Sequence, residues 1–285
     1  LELAWSFFGM NEQMTSRKIL ITAKTYPSIS KKYREIVCTA GILLNDDESP
    51  IGWIRLYPVR FRDLKFEFRY KKYQIISVDI VKNPKDNRPE SFRPNDETIQ
   101  IIRQIPPGPK GWSERKKFIL PFQFSSTQEI YSQGQSLGII RPKSILKTYF
   151  EKDDREHSED KLAVLDQLDI FEQESMPSKL EKIPYKFGYE FIDEDGKSHR
   201  FSVIDWEISQ LYRKCRDSSH QPSTQAREEE AVRKVLQKLE SFRARDLHFI
   251  VGNQQRFQES FMIIGLFFPP VVQYMEADHE QMSFL

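Results

Sequence analysis

Apolar positions fall in short runs over the first third of the chain. Residues 18–23 (KILITA) and 36–44 (IVCTAGILL) are nearly continuous and rich in β-branched side chains, so they predict strands. Residues 52–57 alternate and stop at Pro58, and 73–82 (YQIISVDIVK) predict another strand. Four strands this close together point to a small, strongly curved sheet or barrel. Prolines punctuate 83–94, and Asn95 or Asp96 then heads a predicted helix to about Ile105. PPGPKG at 106–111 breaks the chain, with short helices predicted over 112–118 and 126–137.

Residues 144–150 predict a strand, and 158–171 an amphipathic helix with Leu162, Leu165, Leu168 and Phe171 along one side. Tyr185, Phe187, Tyr189 and Phe191 alternate, turn through Asp193-Glu194-Asp195-Gly196, and return as His199, Phe201 and Val203, which is a hairpin. A helix follows from about Asp205 to Cys215, and a second over 225–242 with Ala231, Val235, Leu239 and Phe242 as its stripe. Strands over 247–252 and 261–268 close the pattern. No period of about 20–50 residues recurs, which excludes repeat architectures. The fold class read from this order is α+β: a mainly antiparallel curved sheet or small β-barrel flanked by helices, with a second α+β lobe after residue 150.

Composition narrows the class. A chain of 285 residues holds one large domain or two ordinary ones. The mean hydropathy of −0.60 is low, but 21 Phe, 11 Tyr and 4 Trp supply core-forming side chains that a disordered chain lacks. No apolar run reaches the roughly 20 residues of a membrane helix, so the expectation is a soluble, cytoplasmic protein without membrane contact. Two cysteines exclude a disulfide scaffold and an all-cysteine zinc site.

Charge changes the picture more. The net charge of +1 conceals 25 Lys and Arg against 15 Asp and Glu in residues 1–150, and 18 against 27 thereafter. Residues 151–175 alone carry 10 acids and 3 bases. Either the basic half faces a polyanion, or the halves attract each other within one fold. The resulting division is 1–14 as an N-terminal leader or remnant and 15–150 as a basic β-rich domain. It continues with 151–178 as an acidic linker or helix, 179–275 as an α+β domain with the aromatic hairpin, and 276–285 as a tail.

Residues 53–73 interleave cations with aromatic rings. Cations neutralise phosphates, and aromatic faces accept unstacked bases. Trp53, Arg55, Tyr57, Arg60, Arg62, Lys71 and Lys72 are therefore candidates for nucleic-acid contact, with rings in the core and cations at its rim as the ordinary alternative. Alternation places Trp53, Arg55 and Tyr57 on one strand face, opposite Ile54 and Leu56. Arg88 and Arg93 in RPESFRP add two guanidiniums suited to phosphate, unless pairing with Glu90 only pins the loop. Asn253, Gln254, Gln255 and Arg256 join the last two strands and suit base edges or an ordinary solvated turn.

Asp205 and Glu207 follow a strand and open a helix. With Asp79 they suggest a Mg2+-dependent nuclease, although capping and the helix dipole alone explain both. The five histidines lack metal-ligand spacing, and no phosphate-binding glycine loop occurs. No metal or cofactor is expected outside the nuclease alternative. Cys38, mid-strand, reads as core.

KTYP at 24–27, CTAG at 38–41, WIRLYP at 53–58, RPESFRP at 88–94, DWEI at 205–208 and GLFFPP at 265–270 together resemble an uncharacterised bacterial protein family. The resemblance spans most of residues 18–270 and implies no catalytic residue, since that family carries no assigned activity. The terminal strand pair also resembles small barrels of the PUA/ASCH type, which implies RNA or modified-base binding by fold analogy. The reading is a nucleic-acid-binding module, DNA or RNA, acting as an accessory factor in bacterial nucleic-acid processing or defence. The alternatives are the nuclease and an adaptor whose acidic 151–175 segment docks a protein partner.

Overall fold

The computed structural model describes residues 14–30, 34–156, 158 and 180–271. The first sheet contains β1 (Thr15–Lys24), β2 (Ser28–Ser30), β3 (Arg34–Leu44), β4 (Pro50–Val59), β5 (Gln74–Lys82), β6 (Ser91–Pro94) and β7 (Gln100–Gln104). Its order is β1-β3-β4-β6-β5, and β5 pairs back onto β1, so these five strands close a barrel. The barrel is mixed, because β4 and β6 run parallel while the other pairs are antiparallel. β2 extends β3, and β7 extends β5 outside the closure.

The first two apolar runs are continuous because both their faces are buried. Ile19 and Ile21 point into the barrel with Val37, Ile54, Leu56, Ile76 and Val78. Leu20, Ala23, Ala40 and Ile42 point outward and pack under the second sheet.

That sheet contains β8 (Gln123–Phe124), β9 (Leu137–Ile140), β10 (Ser144–Lys152), β11 (Tyr185–Ile192), β12 (Ser198–Val203), β13 (His248–Gln254) and β14 (Phe257–Phe267). Its order is β10-β11-β12-β14-β13-β9-β8. The helices are α1 (Pro109–Ile119), α2 (Thr127–Ser132), α3 (Trp206–Asp217) and α4 (Thr224–Ser241). Ala231, Val235 and Leu239 of α4 pack on the sheet through Phe187, Tyr189 and Phe249, as the stripe predicts. Gly265 on β14 sits where this sheet meets the barrel. A Cβ there would lie 2.5 Å from the Ala23 Cβ, so only glycine permits the approach.

Three expectations change. Asn95 does cap a turn, accepting from the Glu97 amide, but only a 3-10 turn over Asp96–Thr98 forms. The β-branched run behind it continues as β7, paired with β5, in place of the helix to Ile105. The helix predicted over 126–137 stops at Ser132, and β9 follows. The charge-based boundary at 150 falls inside β10, whose partner β11 lies beyond it. The passage between sheets falls earlier, between β7 and β8.

The terminal strand pair that resembles PUA/ASCH barrels belongs to the second sheet and not to the closed barrel. The helix predicted over 158–171 lies, except for Ser158, outside the described residues. So do the 1–14 leader except Met14, most of the acidic segment, and the 276–285 tail. No described helix is long and apolar enough to cross a membrane.

Candidate functional site

The sequence-selected cations divide among a sealed junction, half-buried positions and the exposed surface. Arg55 is 3% exposed. Its guanidinium donates to the Ser136 carbonyl at 3.0 Å, the Ser136 hydroxyl at 2.9 Å and Cys38 Sγ at 3.2 Å. Arg88 donates bidentately to Asp86 at 2.8 and 2.6 Å, and to the Asn253 carbonyl at 2.8 Å. Glu90 accepts from the Ser136 amide at 2.5 Å. These groups tie β4 and the loop before β6 to the second sheet, so Arg55 and Arg88 are structural. RPESFRP is pinned as its ordinary reading requires, but Arg88 pairs with Asp86 in place of Glu90.

Trp53 is also buried, donating to the Phe122 carbonyl, so no base can stack on it. Tyr57 is half-buried, and burial raises its pKa. Arg62 pairs with the buried Glu35 at 2.7 Å, and Arg93 is half-buried. Arg60, Lys71 and Arg256 are exposed. Of the polar hairpin turn, Asn253 is buried and donates to the Gln258 carbonyl, and Gln255 donates to the Lys85 carbonyl, so both are engaged within the fold.

Between β4 and β5 the chain makes an exposed loop. Phe66 stands on a 3-10 turn with 87% of its surface exposed, flanked by exposed Lys65, Arg69 and Lys71. Arg69 fixes the loop by donating to the Leu64 and Arg62 carbonyls. Phe61 and Tyr70 anchor its base in the barrel core.

Lys71 continues into a cavity of about 570 Å³ at the seam between barrel and second sheet. Lys24, Lys71, Lys72 and Arg115 line it alongside Tyr73, Trp112, Trp206 and Phe268, with Asp205, Glu207, Gln104 and Gln210. A proline-glycine start makes this possible. Gly108 adopts φ 96°, a left-handed conformation favouring glycine, and Pro109 begins α1. Trp112 and Arg115, three residues apart, then share one helical face. The Arg115 guanidinium lies 3.9 Å from the Tyr73 ring centroid and 4.7 Å from that of Trp112. Tyr73 itself holds φ 64°, which costs a non-glycine residue about 1–2 kcal/mol. The Tyr73 amide donates to the Ile21 carbonyl at 2.7 Å, and its carbonyl accepts from Ile105 at 2.9 Å; these bonds hold it there. Arg115 Nη2 donates to the Ile105 and Pro106 carbonyls, and the buried Tyr73 hydroxyl and Arg115 Nε have no hydrogen-bond partner among the described residues.

Asp205 caps α3, accepting from the Glu207 amide at 2.8 Å, as the ordinary reading expects. It is also 2% exposed and lies 3.7 Å from Lys72, which lies 3.7 Å from Glu207 and donates to the Leu266 carbonyl at 2.7 Å. Burial pushes the Asp205 carboxyl up, against the Lys72 charge. Burial also opposes the Lys72 ammonium, but Tyr73, Asp205 and Glu207 outweigh it and raise its pKa. Lys24 stands over the Phe61 ring at 3.9 Å and donates to the Tyr70 carbonyl at 2.9 Å. Burial lowers its pKa to about 8, only partly offset by Glu207 and Asp205.

The metal alternative loses its geometry. Asp79 stands on β5 opposite Ser16 and is not among the cavity's lining residues. The two remaining carboxylates are paired with Lys72. Among the described residues, no three His, Cys, Asp or Glu side chains are placed to hold a metal ion. A larger cavity of about 710 Å³ lies between β10, β11 and α4. Its Arg155 is bound bidentately by Glu228 at 2.8 and 2.7 Å, and Val232, Leu236 and Phe150 make much of its wall.

Residues 123–284 match the family model for a domain of unknown function, DUF8757. The chain belongs to the DUF8757 family. Residues 15–121 match a second model, the domain of unknown function DUF8758. The DUF8758 portion supplies Lys24, Lys71, Lys72, Tyr73, Gln104, Trp112 and Arg115 to the seam cavity, and the DUF8757 portion supplies Asp205, Trp206, Glu207, Gln210 and Phe268. No curated protein matches the chain.

Sequence reasoning missed Lys24, Gln104, Trp112, Arg115, Trp206, Gln210 and Phe268, and placed Phe66 and Tyr73 only among the interleaved rings of residues 53–73. One signal was present: KTYP, DWEI and GLFFPP each supply a residue to this cavity, although they are far apart in the chain.

Proposed function

We propose that the chain binds single-stranded nucleic acid, with the loop between β4 and β5 on the backbone and one unstacked nucleotide in the seam cavity. The observation that carries this reading is the cavity's lining. Partly exposed Trp112, Trp206 and Phe268 accompany four cations against two carboxylates, while Tyr73 is buried beneath Arg115. A planar base gains about 1–3 kcal/mol from stacking on such rings. The amide of Gln210 offers a paired donor and acceptor for a base edge, while the Gln104 amide nitrogen is taken by the Lys72, Tyr73 and Ile105 carbonyls. Outside, Lys65, Arg60 and Lys71 serve phosphates without sequence preference, and the exposed Phe66 offers a second stacking face. Ligand sites favour junctions between domains, which is where this cavity lies.

Photo-crosslinking tests the reading. Oligonucleotides carrying a photoreactive base, as DNA and as RNA, are irradiated with the full chain, and the adducts are mapped by peptide sequencing. Adducts on the peptides containing Phe66, Trp112 or Trp206 are expected. Adducts confined to other surfaces, or none, contradict it.

A further inference from the structure

The start of α3 brings a ring, a carboxylate and an amide to the seam cavity. Trp206, Glu207 and Gln210 all border it. Glu207 and Gln210 stand three residues apart, so their side chains are neighbours on the helix surface. Of the cavity's two carboxylates, Asp205 is 2% exposed and caps the helix, whereas 61% of the Glu207 side chain is open to solvent. Glu207 is therefore the carboxylate that a base can reach. Its Oε2 lies 3.7 Å from Lys72 Nζ, longer than a hydrogen bond, so the carboxylate keeps its accepting capacity. Among the described residues no hydrogen bond holds the Gln210 amide. The helix dipole and the Lys72 charge account for an acid at Glu207. Neither calls for an amide one turn on, bordering the same cavity beside aromatic rings.

We infer that the seam cavity selects guanine as its unstacked base, with Glu207 and Gln210 reading the base's pairing edge. This rests on the nucleic-acid reading and names the base for that same site. An ionised carboxylate only accepts hydrogen bonds, and an amide both donates and accepts. Guanine alone of the common bases presents two adjacent donors, N1–H and the N2 amine, with an acceptor, O6, beside them. The Glu207 carboxylate takes both donors as a bidentate pair, and Gln210 Nε2 donates to O6. Adenine sets its N1 lone pair against the carboxylate. Cytosine offers its N4 amine next to the acceptor N3, and thymine or uracil offers N3–H between two carbonyls, so each gives the carboxylate one bond at most. Hydrogen bonds to an ionised acceptor are the strong class, so the second bond separates guanine from the rest. Stacking on Trp112, Trp206 and Phe268 is tolerant of base identity, which leaves the discrimination to the two α3 side chains.

The test is fluorescence anisotropy of the full chain with labelled single strands of thymine, each carrying one central guanine, adenine, cytosine or hypoxanthine, at one salt concentration. Adenine controls for purine stacking. Hypoxanthine keeps N1–H and O6 but lacks the N2 amine. The proposal expects the guanine strand to bind at least about tenfold tighter than the adenine and cytosine strands, with hypoxanthine between them. Glu207→Gln replaces one acceptor oxygen by a donor and should bring the guanine-to-adenine ratio below about twofold. Equal affinities, tightest binding of another base, hypoxanthine bound as tightly as guanine, or a guanine preference that Glu207→Gln leaves in place overturns the proposal and leaves the nucleic-acid reading standing. Failure of every strand to bind overturns both. The base comparison uses the wild-type chain alone, so the test stays decisive if the variant does not fold.

Discussion

Arg55 and Arg88 stand on the same seam as Lys24, Lys71, Lys72 and Arg115, yet only the second set lines open space. Asp86, Asn253 and Ser136 take most of the arginines' donors within the fold, and of these only Arg55 Nε has no hydrogen-bond partner among the described residues. The second set shares a cavity with four aromatic rings. A cation that the fold supplies with partners holds the fold together. In the second set Lys72 is held by Asp205, Glu207 and the Leu266 carbonyl, and Arg115 donates to the Ile105 and Pro106 carbonyls, so the contrast lies in the open space these cations border and not in a lack of partners. The motif strings divide in the same way. WIRLYP and RPESFRP serve the sealed junction, while KTYP, DWEI and GLFFPP meet at the open one.

The largest expected effect breaks the sealed side. Arg88→Ala strands a buried Asp86, and removing one partner of a buried pair costs about 3–5 kcal/mol. Urea unfolding should register that loss. Unchanged stability with weakened nucleic-acid binding would place Arg88 in the open class. Next, Phe66→Ala should reduce single-strand affinity by about 1–3 kcal/mol if a base stacks there. Its stability should stay within about 0.5 kcal/mol of wild type, because the side chain is exposed. A smaller effect sharpens the electrostatic part. Replacing Lys65 and Lys71 together by Ala should flatten the dependence of log affinity on log salt by about 1.4, two single-strand phosphate contacts.

The last effect is a pH dependence of stability. Folded Lys24 releases its proton near pH 8, against 10.5 for an ordinary lysine, so the unfolded chain binds more protons between those values. Wild-type stability should therefore rise relative to Lys24→Met from pH 8 to pH 10. Tyr70 and Tyr73, which burial raises above 10, add their opposite contribution only above that pH. A difference that is flat or falls over this window contradicts a desolvated amine.

The strands were legible because β-branched runs and alternation record local burial. β1, β3, β4, β5 and the β11–β12 hairpin all fall within a few residues of expectation. β7 was not legible, because the Asn95 cap is genuine and only its length was misjudged: one 3-10 turn, then pairing with β5. The site was hardly legible. Whether Arg55 faces a phosphate or Ser136 depends on a contact 81 residues away in the chain. Alternation placed Trp53 and Arg55 on one face, as observed, but that face meets the second sheet and not solvent. Trp112 and Arg115 at helical spacing behind PPGPKG were visible, but what they face is decided by Tyr73 and Phe268 from other elements.

The most direct test of the contrast is fluorescence anisotropy of labelled single-stranded DNA and RNA against the wild-type chain and a Phe66→Ala, Lys71→Ala double variant, over a salt series. The account predicts wild-type binding that weakens as salt rises, and a loss of at least tenfold in the variant with its unfolding transition unmoved. Absence of binding to either strand at low salt, or binding that the variant leaves intact, would contradict it.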